Sequence, residues 1–597
     1  MSWASHHGWR IVEVFSNADG TLQFVEMFNN VNNEPSLTCC GAISAEDKST
    51  GQFNDYDFTG NLPSSATLNK RVLLATAGFE TAHGIKPDYV IPDNYLATGP
   101  GDVWYNAVLE WSSLPTDGWQ SYKAGGEVSA ATPTNFDGDT VTLTEPVSAT
   151  TATQFLMTTS DSANITTLHI VNKADEAQSF TGTLYNGDGD QLGSADVPLG
   201  TAAVPAKGRL TLGASDLEML FNATPWKGPA MLEVKGSAAF SLMSKLISPS
   251  GLISNTNCVR DTRVLNIEGA DSEDMTFVRF INTGDTAITD IRGTLYDQNG
   301  AVIGTANTQL LESLASKQAV WINRNNFISL FGASWDGEAM LEVGEVNNLK
   351  LLNLNFVNGE TFFNFSCFET SGTSGDVYLM TRSDGFNVSK LHIVNTSDTY
   401  SQSFTGTLYS GDGSQLGSST RSLHDGSIPP RGRVVLLSQD LEQIFGVSPW
   451  SGPAMLRVNG SREFELMIKL ESPSGLISNT NCVRRDEVHN IEGFDSQDMT
   501  FVRFINVGTS AISNITGTLY DSNGNLIGSA DTLLLETLAP HGATWLNRNN
   551  LSDLFGGATW NGEALLKVSS HDDLRLLNLN FANSETFFNF SCYETSQ

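Results

Sequence analysis

Six cysteines and two short acidic runs supply the side chains of this 597-residue chain that could bridge or coordinate. Cys258, Cys367, Cys482 and Cys592 recur at intervals of about 110 residues, one in each copy of a repeated segment. A single cysteine cannot close a bridge inside its own segment. It can pair with the neighbouring segment, reach another chain, or stay a buried thiol that packs as a small apolar residue. The order along the chain favours Cys258–Cys367 and Cys482–Cys592, with four buried thiols as the competing expectation. Equivalent points on stacked modules can lie too far apart for a disulfide. Cys39 and Cys40 are adjacent and would close a strained turn or reach a second subunit. Zinc is not expected, because no Cys-x-x-Cys spacing accompanies these residues.

The acidic runs read NIEGADSEDM and NIEGFDSQDM. They place Glu268, Asp271 and Asp274, then Glu492, Asp495 and Asp498, where two segments must meet. Hard carboxylates there could hold Ca²⁺ and stiffen the junction. The competing expectation is a solvated turn whose acids cap nearby amides. No other cofactor is indicated. His169 and His392 align with Arg279 and Arg503, which reads as a surface strand position rather than a ligand, and His6–His7 sit near a terminus. Gly-x-Ser-x-Gly, His-Glu-x-x-His, a phosphate-binding glycine loop and a Ser/His/Asp ordering are all missing, so enzyme chemistry is not expected. Trp226, Trp335, Trp450 and Trp560 could stack on sugars, but a core plug is the commoner use of a tryptophan so placed.

The elements that must position these residues are β-strands. GTLYNGDGDQLGSA from Gly182 returns as GTLYDQNGAVIGTA from Gly293, GTLYSGDGSQLGSS from Gly406 and GTLYDSNGNLIGSA from Gly517. Asp-Gly or Asn-Gly between alternating apolar runs is a strong hairpin signal, and a plain hairpin turn accounts for all four copies. Each copy is followed by a Trp-x-Gly site and then by one of the four spaced cysteines. TLHIVN and TFVRFIN predict strands ending in an asparagine suited to a turn: Asn172, Asn282, Asn395 and Asn506. SDLEMLF predicts a short helix with a Ser215–Glu218 capping box. The first and third copies share SPSGLISNTNCVR, and the second and fourth share ETFFNFSC, so the order is A–B–A–B. Six or seven short strands per hundred residues, with turns between them, predict sandwiches.

The pattern IVN…GTLYD…LF…W.GEAML.V…LLN resembles the tandem Ig-like β-sandwich modules of bacterial exported and surface proteins, over about three quarters of the chain. The front segment reads WRIVEVFSNADGTLQFVEMFN, then NLPSSATLNKRVLLATAGF. It resembles the lamin-tail-like Ig domain of secreted bacterial proteins from residue 8 to residue 125 or so. That resemblance implies a structural rather than catalytic role for Glu26.

The expected architecture is therefore an all-β string of Ig-like domains. It comprises 1–125 lamin-tail-like, 126–150 a Ser/Thr/Pro-rich linker or strap, and four modules: A1 (151–260), B1 (261–372), A2 (373–484) and B2 (485–597). A net charge of −33 repels phosphate backbones and argues against nucleic acid or an anionic membrane as partner. No apolar run is long enough to span a bilayer as a helix. The composition points to an extracellular or surface location with a leader already removed. The expected function is structural: a fibre subunit or adhesive stalk that self-associates through sheet edges. A strand missing after Cys592 would leave the last module an open edge. The alternatives are a glycan-binding monomeric rod that recognises polysaccharide, or a secreted enzyme seated in the front domain.

Overall fold

A computed structural model describes residues 8–39, 41–143, 150–156, 162–223, 225–226, 228–250, 253–357, 361–379, 386–447, 449–450, 452–582 and 586–596. The chain divides into two compact units, Met1–Ser148 and Ala149–Gln597. Both are built from antiparallel sheets, apart from the parallel pairing of Lys70–Thr76 with Tyr89–Ile91, and the only helices among the described residues are five short ones.

In the first unit, Trp9–Ser16, Gln23–Asn29 and Lys70–Thr76 are central strands of a six-stranded sheet. A four-stranded sheet of Ile43–Asp47, Gln52–Tyr56, Gly101–Tyr105 and Ala107–Trp111 faces it. The two share a core that includes Trp9, Val25, Val72, Val103 and Trp111. Much of the expected linker belongs to this unit. Val128–Ala130 pairs with Gln120–Lys123, while Ala131, Phe136 and Leu143 are buried in its cores. These apolar residues, spaced among Ser, Thr and Pro, gain from burial what a free linker would forgo. Glu26 is buried, ion-paired with Arg71, and accepts from the Thr134 amide.

Among the described residues the second unit contains four pairs of sheets, one pair for each of A1, B1, A2 and B2. In A1 one sheet runs Thr150–Leu156, Ala230–Gly236, Thr181–Tyr185, Gln191–Pro198, and the other contains Arg209–Gly213, Ile165–Asn172 and Phe240–Ile247. Inward residues of both sheets, such as Leu168, Ile170, Leu184 and Leu232, meet Trp226 and the helix Ala214–Phe221 in one core. Each other module repeats this with its own core. The helix of A1 is capped two residues earlier than the Ser215–Glu218 spacing predicts: Gly213 is the N-cap and Asp216 accepts its amide at 2.8 Å. In B1 Asn323 and Asn326 cap one another reciprocally.

The chain is a string of β-sandwiches, as expected, and in space the string of four modules closes on itself. The tip of each repeated hairpin docks on a turn of the next module, and the fourth tip docks on the first module. Ala319 N donates to Gly187 O at 2.9 Å, Arg433 N to Gln298 O at 2.9 Å, and Ala543 N to Gly411 O at 2.7 Å. The ring closes when Arg209 N of A1 donates to Ser522 O of B2 at 2.9 Å. The tip glycines Gly189, Gly300, Gly413 and Gly524 all have φ between +74° and +89°. A Cβ on any of them would lie 2.0–2.2 Å from a backbone oxygen of the receiving turn. Glycine thus serves the turn and the docking together.

The receiving turns are equally alike. Lys207, Lys317 and Arg431 adopt φ 59° and His541 φ 57° at their centres. The strand-ending asparagines hold them: Asn172, Asn282, Asn395 and Asn506 are fully buried and donate to the two carbonyls that precede each turn. The hairpin tyrosines add a contact at three junctions. Lys317 lies over Tyr185 and Arg431 over Tyr296, while His541 stacks on Tyr409 at 4.2 Å.

The open edge expected on B2 is not there. Ser374–Leu379, after Cys367, completes the A2 sheet by pairing with Ala454–Asn459. The segment after Cys592 does the reverse of leaving a gap: Glu594–Thr595 adds to Phe240–Ile247 of A1, as Glu369–Ser371 adds to Phe464–Glu471 of A2. Gln191–Pro198 and its counterparts Thr308–Leu314, Gln415–Ser422 and Leu526–Leu538 each form one edge of their sheet. Each pairing to the hairpin partner carries a register shift, and Asp196, Asn307, Thr420 and Asp531 sit nearby with positive φ. Bulged edges of this kind resist indiscriminate strand addition.

Candidate functional site

Where the four modules meet, the ring forms two kinds of junction, each present twice. Within an A–B pair the junction is mainly apolar, although Lys317 of B1 also pairs with Glu233 of A1 at 2.6 Å. Phe155, Met231 and Leu246 of A1 pack on Ile281, Leu352 and Leu354 of B1, and Tyr378, Met455 and Leu470 of A2 pack on Ile505, Leu577 and Leu579 of B2. A fully buried guanidinium crosses each: Arg279 donates to Leu156 O at 3.2 Å and Ala230 O at 3.3 Å, and Arg503 does the same to Leu379 O and Ala454 O. Burial pulls both down to about 9, so both remain charged near neutrality.

Between pairs the junction is ionic. Lys469 of A2 donates to Glu268 at 3.0 Å and Glu338 at 2.5 Å of B1, with His392 3.2 Å from Glu338 and Arg433 donating to Leu265 O. Across the ring, Lys245 of A1 donates to Glu492 at 3.2 Å and Glu563 at 2.6 Å of B2, with Arg209 and His169 beside Glu563. Burial would raise Glu338 and Glu563, but the surrounding His, Lys and Arg side chains hold both far below the carboxylate range. Burial pushes His169 down to about 3. His489 is pushed down to about 4 by burial, partly opposed by Glu487 at 3.0 Å.

His169, His392, Arg279 and Arg503 are therefore buried, not on the solvent surface expected for them. They do lie on the surface of a module, but the next module covers it. One aligned position also reverses charge: Arg263 of B1 faces Glu465 of A2, whereas Glu487 of B2 faces Lys173 of A1.

At the centre Phe363 and Phe588 stack at 6.1 Å within an apolar cluster drawn from all four modules. Beside it lie the cysteines. Cys258 is disulfide-bonded to Cys367 and Cys482 to Cys592, with Cα–Cα distances of 5.4 Å in both. The bridges touch: Cys258 Sγ is 3.4 Å from Cys482 Sγ, and Cys367 Sγ is 3.1 Å from Cys592 Sγ. Each cysteine carbonyl accepts an asparagine side-chain amide, from Asn364, Asn481, Asn589 and Asn257 respectively for Cys258, Cys367, Cys482 and Cys592. A cleft of about 450 Å³ opens on the cluster, flanked by Arg260, Arg484, Glu369 and Glu594.

The six acids considered as calcium ligands are not gathered. Glu268 and Glu492 are the partners of Lys469 and Lys245. Asp271 and Asp495 accept the Gly337 and Gly562 amides, and the carbonyls of Asp274 and Asp498 accept from Arg324 and Arg548. Burial, with Glu268 adding to it, pushes the Asp274 carboxyl up to about 6, and the Asp498 carboxyl is raised for the same kind of reason. Among the described residues the one convergent set of three or more His, Cys, Asp or Glu ligands is the four cysteines, which spacing along the chain could not reveal. Trp226, Trp335, Trp450 and Trp560 are buried in module cores and offer no sugar platform. Cys39 is disulfide-bonded, while Cys40, His6 and His7 lie outside the described residues.

The first unit carries a second candidate. On the outer face of its four-stranded sheet, Trp104 is 43% and Phe53 55% exposed. They line a cleft of about 660 Å³ together with Val108, Ser44, Asp55 and Asn106. Register places Trp104 opposite Ser44 and Phe53 opposite Glu46, so aromatic and acidic side chains share that face.

No protein-family model and no curated protein matches the chain. Among solved structures, that of the infectious bursal disease virus Gt strain is 7% identical, over 75% of this chain and 85% of that one, with a TM-score of 0.10. Trypsin-activated alpha-2-macroglobulin from Escherichia coli is 9% identical over all of this chain and 49% of that one, also at 0.10.

Proposed function

We propose that the protein is an exported structural protein, a subunit of a surface or extracellular fibre or adhesive appendage that does no chemistry. Residues 149–597 would then act as one stiff block instead of a length of rod. The observation that carries this reading is how the repeated polar residues are used. The tip glycines, the turn asparagines and the Lys245 and Lys469 clusters all hold modules to one another. Two disulfides suit an oxidising compartment, and the strongly acidic charge suits a soluble exterior surface. Association of blocks would use the outer hairpin edges, where the bulges limit pairing to short stretches. Electron microscopy of the purified protein in negative stain tests this: regular filaments or end-to-end chains of compact particles are expected. Particles that stay isolated at every concentration overturn it.

A glycan-binding role is the second reading, favoured by the exposed Trp104 and Phe53 beside acidic groups in the first unit. Aromatic faces stack on sugar rings while neighbouring carboxylates accept from hydroxyls. Affinity for a polysaccharide that disappears in Trp104→Ala supports it, and equal binding by that variant refutes it.

A further inference from the structure

We propose that the four hub cysteines, when reduced, form one tetrahedral thiolate site for a zinc-class divalent cation, and that the paired disulfides are its oxidised, metal-free state. All four Sγ atoms lie within 4.8 Å of one another, one from each module. A tetrahedron with metal–sulfur bonds of about 2.3 Å has edges of about 3.8 Å. That edge falls between the 3.1 and 3.4 Å contacts across the two bridges and the 4.8 Å limit of the set. Each bonded pair must open, while the two pairs stay where they are.

The surroundings fit such a site. The four asparagine amides fix the cysteine backbones from outside the sulfur cluster, so reduction would free the side chains without releasing the chain. A divalent cation with four thiolates carries a net charge of −2. Two guanidiniums border the same cleft, Arg260 stacked on Phe368 at 3.7 Å and Arg484 on Tyr593 at 3.6 Å. Phe368 and Tyr593 directly follow the ligands Cys367 and Cys592, and the guanidiniums donate to the carbonyls of Ser366 and Phe368, or Ser591 and Tyr593. An all-sulfur donor set selects soft and borderline cations over Ca²⁺ or Mg²⁺. The outer shell of amides and guanidiniums is of the kind that orients metal ligands.

The balance is simple. Two equivalents of a dithiol reductant deliver four electrons, each ending as its own disulfide and leaving two protein thiols. The cation then displaces four protons from the four thiols. The inference is independent of the structural role, because its readout is metal and not assembly.

The test uses the full chain carrying Cys39→Ser and Cys40→Ser, so that only the hub cysteines remain. The protein is reduced with a dithiol, freed of reductant without air, and titrated with Co²⁺. One Co²⁺ per chain with the intense visible bands of tetrahedral thiolate coordination, displaced by Zn²⁺, is the expected result. Adding Cys258→Ser and Cys482→Ser should abolish the bands. Circular dichroism covers the case in which reduction unfolds the unit: recovery of the native spectrum on adding Zn²⁺ supports the site. No uptake, pale six-coordinate spectra, bands that survive the double substitution, or a chain that stays unfolded with Zn²⁺ would each overturn it.

Discussion

Replacing Gly524 with alanine should open the junction between B2 and A1 while leaving the other three junctions shut. Gly524 has φ +77°, and a Cβ there would lie 2.1 Å from Ala206 O and 3.0 Å from Gly208 N. Left-handed backbone costs alanine about 1–2 kcal/mol wherever it occurs. At Gly524 the tip must also withdraw by more than a bond length, which breaks Arg209 N→Ser522 O, about 1 kcal/mol, with a similar loss in packing around it. Gly562 in the same module isolates the first term, since it has φ +69° and nothing within 4 Å of its Cβ direction. The docking contribution is the difference between the two variants, about 2 kcal/mol. Native-state trypsin cleavage at Lys207 and Arg209 reads it directly, because Lys207 centres the receiving turn and Arg209 opens the strand that leaves it. A 2 kcal/mol shift in opening makes nicking about 30-fold faster in Gly524→Ala than in Gly562→Ala. Equal rates in the two variants would refute the idea that the tip clamps the ring.

Lys245→Met and Lys469→Met each remove the shared cation of two largely buried carboxylates, one of which keeps an arginine (Arg209 or Arg433), so each should cost about 3 kcal/mol in denaturant titrations. Acid should loosen the ring before the carboxylates titrate. Between pH 6.5 and 4 the unfolded chain takes up protons that buried His169 and His489 refuse, so stability falls with pH. Each histidine costs about 2 kcal/mol at pH 5, and Asp274, raised but half-exposed, returns less than about 1 kcal/mol. Melting temperature followed from pH 7 to pH 5 should therefore fall, and a flat profile contradicts the assignment. Replacing Cys258 and Cys367 by serine releases a loop of 109 residues and should lower stability under oxidising conditions by about 4–5 kcal/mol, measured by urea unfolding.

The repeat, its A–B–A–B order and the strands of each module were legible because local patterns specify them: GTLY with Asp-Gly or Asn-Gly, and strands that end in a buried asparagine. The ring was not. A tip glycine reads the same whether it only turns the chain or also meets a backbone oxygen of the next module. Alignment of His169 with Arg279 suggested a surface position, but pattern alone cannot say whether another module covers that surface. Glu268 and Glu492 looked like ligands for a hard cation because their counter-ions, Lys469 and Lys245, lie 201 and 247 residues away in sequence. The cysteine cluster escaped for the same reason, since ligand spacing presumes neighbours along the chain and here a pseudo-symmetric closure brings them together.

Amide hydrogen exchange at the four docking turns tests ring closure most directly. Ala319, Arg433 and Ala543 receive their hairpins from the module before them in sequence, so a string of modules could protect all three. Arg209 receives its hairpin from the last module and is protected only if the chain closes. Protection at Arg209 comparable to the other three is the result expected. An Arg209 amide that exchanges like a free loop, beside three protected counterparts, would contradict it.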